Sequence, residues 1–161
     1  MVGSEPHQHS LQNNNKGSGH ENREYPSRPF VGVGALIVAD NRIVLVRRGR
    51  PPGRGQWSIP GGLVKVGETL MAGVKREAFE ETGLNVEPLE LVELLERIFR
   101  DDSGMVQYHY VLADYLCAVK GGELHPGSDA MEAVWVGLDQ FDLYNIPDVT
   151  KKVALKALGN G

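Results

Sequence analysis

The chain has one cysteine, no apolar run long enough to cross a bilayer and no surplus of positive charge. Each shortage closes off a class of protein. A single thiol cannot build a disulfide framework. Cys117, set in an apolar, strand-like run, reads as a small buried hydrophobe in a reducing, cytoplasmic setting rather than as a nucleophile. No segment of about 18 apolar residues and no charged-then-apolar opening is present, so no membrane-spanning helix and no secretory signal are expected. A formal net charge of −4 gives no support to a nucleic-acid polymer or a membrane surface as partner. No internal repeat interrupts this picture. What is there is 161 residues, a single-domain length that can bury a sizeable core.

Residues 1–28 stand apart, with Asn13-Asn14-Asn15, several Ser, Gly and His and almost nothing apolar. Such a segment cannot offset its own ordering entropy and is expected to be a disordered polar tail, its scattered His7, His9 and His20 binding nothing specific. The folded domain is expected over residues 29–159. Val31–Ala39 and Arg42–Arg48 are β-rich runs joined by Asp40-Asn41, a two-residue hairpin signal. Gly49–Gln56 reads as a loop and Trp57 as the start of a short strand. Val86–Phe99 and Met105–Val119 read as long strands about an Asp101–Gly104 turn. Gly121-Gly122 and Pro126-Gly127 mark a further loop before a strand over Ala133–Val136. A closing helix runs from Pro147 to Leu158, Pro suiting a first helical turn. Several strands with one central and one terminal helix make an α+β sandwich.

Gly62 to Leu84, GLVKVGETLMAGVKREAFEETGL, carries the chemistry. Thr69 is a natural N-cap and Gly83 the left-handed residue past the C-terminus of the helix between them. Glu77, Glu80 and Glu81 stand at i, i+3 and i+4 and stack on one face. Like charges so placed destabilise a helix by a few tenths of a kcal/mol per pair, roughly. An acidic, solvated surface face would tolerate them; a divalent cation would need them, since Mg²⁺ and Mn²⁺ take hard oxygen ligands alongside substrate phosphates. The preceding Ser58–Gly62 segment ends in paired glycines, which permit positive φ and close approach of the backbone to a ligand. Glu68 and Arg76 can pair and tie loop to helix.

The order Gly62, Glu68, Arg76, Glu77, Ala78, Glu80, Glu81, Gly83, Leu84 resembles the Nudix box, with every charged and glycine position filled and only Ala78 smaller than the aliphatic residue the family prefers. The resemblance spans Pro29 to about Leu158. It implies an α/β/α arrangement around a mixed central sheet, and metal-dependent hydrolysis of a nucleoside diphosphate derivative by attack of water on phosphorus. Glu77 and Glu81 are then the principal metal ligands, Glu80 a further ligand or water-orienting group, and Gly61 a carbonyl donor. Gly62, Glu68, Arg76 and Gly83 are structural within the box. The cofactor implied is Mg²⁺, with Mn²⁺ equally suited, and a homodimer is compatible with the resemblance.

A general base in this family often comes from a mobile loop outside the box. Here His125–Glu132 offers Asp129 and Glu132, with Glu80 as the alternative if neither serves. Arg47, Arg48, Arg50 and Arg54 form a basic cluster from which one or two guanidinium groups can clamp a distal phosphate; strand alternation keeps all four from facing one site. Of these, Arg47, Arg48 and Arg54 are taken as substrate-binding. Phe99, Tyr108, Tyr110 and Tyr115 are candidate stacking surfaces for a base. The segments around Arg28–Ala35 and Gly127–Val136 resemble the ADP-ribose pyrophosphatase branch, which implies cleavage of ADP-ribose to AMP and ribose 5-phosphate. That branch often carries a proline downstream of the box, absent from Arg97–Asp102. Hydrolysis of an (oxidised) nucleoside triphosphate is the second reading. A non-catalytic ligand-sensor module is the reading of another class, opposed by a complete set of box carboxylates.

Overall fold

The computed structural model describes residues 22–127 and 129–159. Residues 1–21, most of the expected tail, and Ser128 lie outside the described residues. The elements are β1 (Phe30–Ala39), β2 (Arg42–Arg48), β3 (Trp57–Ser58), β4 (Gly61–Leu63), α1 (Leu70–Thr82), β5 (Leu84–Arg100), β6 (Val106–Gly122), β7 (Ala130–Gly137), a 3₁₀ turn over Leu138–Leu143, and α2 (Asp148–Gly159). The sheet is mixed. β1 runs parallel to β6 and antiparallel to β2 and β4, giving the order β3-β2-β1-β6-β5, with β4 on β1 and β7 on β2. This is the α+β arrangement expected.

Alternation along the strands decides which face each side chain takes. On β1, Val33, Ala35 and Ile37 join Val44 and Val46 of β2 beneath Val74 and Ala78 of α1. Leu36, Ile43 and Leu45 face the other way, onto Val153 and Ala154 of α2 and Phe141 of the 3₁₀ turn. With a helix on each face, β1 and β2 read as nearly continuous apolar runs rather than as alternating ones. The β1–β2 turn uses left-handed Asp40 (φ 51°) and Asn41 (φ 59°), the twist that a two-residue hairpin requires. At the far end of the β5–β6 hairpin, Asp101 Oδ1 accepts hydrogen bonds from the Ser103 N–H and hydroxyl and from the Met105 N–H, at 3.0, 2.7 and 3.0 Å.

Two expectations are corrected. Gly121 and Gly122 do not belong to a loop: they end β6, paired with Asn85 and Leu84. Glu24 and Tyr25, placed in the disordered tail, are bonded to the β5–β6 hairpin. The Tyr25 N–H donates to the Gln107 carbonyl at 2.8 Å, its hydroxyl donates to Asp101 at 2.8 Å, and the Tyr108 hydroxyl donates to Glu24 at 3.2 Å. The reason is the partner strand. β6 begins before β1 does, since Phe30 pairs with Tyr110, and the start of β6 leaves the Gln107 carbonyl for the Tyr25 N–H.

Leu36 is fully buried between β1 and α2. Leu36→Ala should cost about 3 kcal/mol, seen in urea titration as a lower midpoint at an unchanged slope; a loss below about 1 kcal/mol would show that this face is not tightly packed.

Candidate active site

The site is built around α1. At its start the Thr69 hydroxyl accepts a hydrogen bond from the Ala72 N–H at 3.1 Å, and at its end Gly83 adopts φ 74° with its N–H on the Phe79 carbonyl. The last carbonyls are capped from outside. His125 and Gly127 donate their N–H groups to Thr82 and Glu81, each at 2.9 Å. Any Cβ at Gly127 would overlap the Glu80 carbonyl, so this approach requires glycine. The loop leading to Asp129 is thereby fastened to the helix that carries the glutamates.

Arg76 is the hub of the acidic face. Its Nε and Nη2 donate to the two oxygens of Glu68 at 2.7 and 2.9 Å, Nη2 also reaches the Leu63 carbonyl at 3.0 Å, and Nη1 holds Glu77 at 2.7 Å and Glu80 at 3.1 Å. The Arg76 guanidinium draws the Glu68 pKa down to about 2. Glu81 points the other way, accepting a hydrogen bond from the Gly61 N–H at 3.0 Å. Its pKa is pushed up to about 8 by burial, reinforced by the charges of Glu77 and Asp129 and opposed by the Gly61 hydrogen bond and Arg48. Burial also raises Glu77, against the pull of Arg76. Gly61 and Gly62 are not in the left-handed region. Their requirement is space: a Cβ at Gly62 would overlap the Glu77 carboxylate, and one at Gly61 the Val33 carbonyl.

These groups form one end of a cavity of about 360 Å³. Glu77, Glu80, Glu81, Arg48, Arg50 and Asp129 line that end. The lining also takes in Phe99, Tyr110 and Asp114 of β5 and β6, Trp57, and Val149 and Val153 of α2.

The donor set fits a divalent cation: hard oxygens on one rigid helical face, with two of the carboxylates pushed towards protonation by burial that a cation would relieve. Among the described residues no group of three or more His, Cys, Asp and Glu already stands as a metal cage. Arg76 and the Gly61 N–H occupy the carboxylates instead. The residues that would hold a cation are Glu77, Glu80 and Glu81, with Gly61 beside them.

The structure brings some of the sequence candidates together and leaves others out. Asp129 lines the cavity and is ion-paired with Arg50, whose Nε donates to Oδ1 at 3.1 Å. Glu132 lies outside the lining, exposed on β7 opposite Arg47 of β2. Pairing of β7 with β2 carries it away from the glutamates. Arg48 reaches the cavity, its pKa lowered by burial with Glu81 opposing. Arg47 turns instead to the Gly55 carbonyl at 3.1 Å, and Arg54 is not among the lining residues. Phe99 and Tyr110 face the cavity; Tyr108 packs against both rings, and Tyr115 is in the core under α1. Arg23, Arg97 and Asp114 also line it, and sequence reasoning missed all three. Period-two alternation through Leu95, Arg97 and Phe99 on β5 was the available signal for Arg97.

With fold and site in view, the chain belongs to the Nudix family: the family described as NUDIX domain matches residues 28–156. It is 39% identical over 119 residues to an ADP-ribose pyrophosphatase of Methanocaldococcus jannaschii, across 74% of this chain and 65% of that protein, just under two thirds of its length. It is 33% identical over 114 residues to an oxidized purine nucleoside triphosphate hydrolase of Mus musculus, across 70% of each. Its fold is like that of a bifunctional NMN adenylyltransferase/ADP ribose pyrophosphatase of Francisella tularensis complexed with AMP and a manganese ion. The TM-score is 0.60 at 22% identity, covering 83% of this chain and 42% of that one.

The raised Glu81 pKa has a sign. In the unfolded chain a glutamate titrates near 4.5, whereas the folded protein keeps this proton to about 8. Between those values the fold binds the extra proton, so stability falls as pH rises through that window, by at most about 1.4 kcal/mol for each step of one in pH. In a chelating buffer, Glu81→Gln should melt above the parent near pH 8 and converge with it near pH 5. Parallel melting curves across that range would contradict the buried, incompletely compensated carboxylate.

Proposed function

We propose that this chain hydrolyses the diphosphate bond of a nucleoside diphosphate derivative with a divalent cation, and that its substrate is ADP-ribose, yielding AMP and ribose 5-phosphate. The observation that carries this reading is a single cavity that brings carboxylates and guanidinium groups together with aromatic and apolar walls. The similarity to the Methanocaldococcus jannaschii ADP-ribose pyrophosphatase supports the same substrate.

Bridging phosphates resist water because their oxygens are negative and the leaving group is poor. A bound Mg²⁺ or Mn²⁺ supplies neutralisation of those oxygens and acidifies water. Glu77, Glu80 and Glu81, with the Gly61 carbonyl, would hold the cation. Arg48 binds the outer phosphate oxygens through its guanidinium group. Water oxygen bonds to phosphorus as the bridging P–O bond breaks, the bridging oxygen leaves with the other phosphate, and the water proton passes to Asp129. Arg50 fixes the orientation of that carboxylate. Glu80, half exposed at the cavity rim, is the second candidate for the proton.

A second reading has support of its own. The similarity to the mouse oxidized purine nucleoside triphosphate hydrolase favours a triphosphate substrate, split into a nucleoside monophosphate and pyrophosphate. Chromatographic product analysis over ADP-ribose and oxidised triphosphates, with Mg²⁺, Mn²⁺ or chelator, separates the two. AMP with ribose 5-phosphate, abolished by chelator, is expected. Glu81→Gln should lose most turnover while remaining folded, and Asp129→Asn should lower kcat about a hundredfold. Near-normal turnover of Glu81→Gln would remove the cation site, and a loss below about tenfold in Asp129→Asn would pass the base to Glu80.

A further inference from the structure

Asp114 of β6 is 6% exposed and accepts no hydrogen bond and makes no ion pair among the described residues, yet it lines the cavity. A buried carboxylate without a partner destabilises a fold, and such groups are normally paired or neutralised. The surroundings make room for this one rather than satisfying it. In register it lies between Gly34 of β1 and Glu93 of β5. A Cβ at Gly34 would overlap its Oδ1, so the bare glycine leaves the carboxylate lying over the β1 backbone. Ile59, Leu95 and Leu112 add apolar wall.

The charged neighbours do not answer it. Glu93 is a like charge and is itself taken by Lys156 of α2 at 3.1 Å. Arg97 on β5 offsets part of the cost, yet burial and Glu93 prevail and push the Asp114 pKa up to about 6. Two positions along the same strand face, the Tyr110 hydroxyl is also buried with no hydrogen-bond partner of good geometry among the described residues, although Arg23 is near enough to counter part of the effect of its burial. Two under-satisfied polar groups thus line the same cavity as the glutamates, both on β6. A nucleotide whose phosphates sat between Arg48 and Glu81 would meet this β6 wall with its uncharged half.

We propose that Asp114 recognises the nucleoside half of the ligand, its carboxylate accepting hydrogen bonds from N–H or O–H donors, either the amino edge of the base or the ribose hydroxyls. Apolar walls sharpen this recognition, because a ligand without the donor leaves the carboxylate buried and unpaired. This rests on the reading of the cavity as a nucleotide site and names the group within it that sets selectivity.

The test is binding rather than turnover. ADP, N6,N6-dimethyl-ADP and 2′,3′-dideoxy-ADP are titrated calorimetrically into the parent protein and into Asp114→Asn, which keeps the shape and replaces one acceptor by a donor. The parent should bind ADP about tenfold or more tightly than one of the two analogues. Asp114→Asn should weaken ADP by a similar factor while barely changing that analogue. Loss of the difference with the dimethyl compound assigns the base edge; loss with the dideoxy compound assigns the ribose. Because the substitution removes an unpartnered charge, the melting temperature should hold or rise. Equal weakening of all three ligands, no weakening of ADP, or a melting temperature lower by many degrees would overturn the proposal. ADP binding that depends on Asp114 without hydrolysis of ADP-ribose would sink the functional reading alone. Hydrolysis without this discrimination would sink the present inference alone.

Discussion

The Arg76 guanidinium is the interaction on which the site depends. One planar group reaches the loop before α1 through Glu68, the β4 backbone through the Leu63 carbonyl, and the acidic face through Glu77 and Glu80. Lysine could not replace it, since a point charge cannot satisfy a bidentate carboxylate and a backbone carbonyl from fixed directions. Three glutamates on adjacent turns repel one another, and it is this cation that makes the arrangement tolerable. The compensation is nevertheless incomplete. Arg76 does not reach Glu81, which is left with a single backbone hydrogen bond and a proton it would otherwise lose. The helix is thus partly neutralised, and the remainder is the opening that a metal would use.

Around that hub the fold separates two tasks. α1 and the core beneath it hold the carboxylates in place, while the opposite face, between β6, β5 and α2, forms the longer arm of the cavity. β1 serves both. Val33 and its odd-numbered neighbours pack under α1, and Gly34, on the other face, leaves room for Asp114. Strand alternation therefore places the glutamate face and Asp114 on a common rigid support.

Much of this was legible in residues. The box spacing placed the helix with its Thr69 and Gly83 ends, and the Asp40-Asn41 turn with its flanking strands followed from local chemistry alone. The failures share one cause, which is that they depend on partners distant in sequence. Glu132 and Asp129 are close in the chain, but pairing of β7 with β2 sends one to the surface while the capping loop keeps the other at the cavity. Arg23 was hidden in a segment whose composition looks unstructured, because the partners of its neighbours Glu24 and Tyr25, the Tyr108 hydroxyl and the Gln107 carbonyl, lie far along the chain on β6. Asp114 sits in an apolar run where a lone acid gives no hint of its neighbours. The paired glycines were read for their freedom of φ, whereas their value is the volume a side chain would take from Glu77 and from β1.

The contact of Gly127 with the end of α1 binds two events into one. Because the His125 and Gly127 amides complete the last turn of the helix, that turn cannot fray without releasing the loop, and the loop cannot swing out without exposing two carbonyls. The Arg50–Asp129 pair lies immediately downstream of this joint. Extra residues inserted after Gly127 would leave the clasp intact, whereas a single added methyl at Gly127 itself would unfasten helix and loop together.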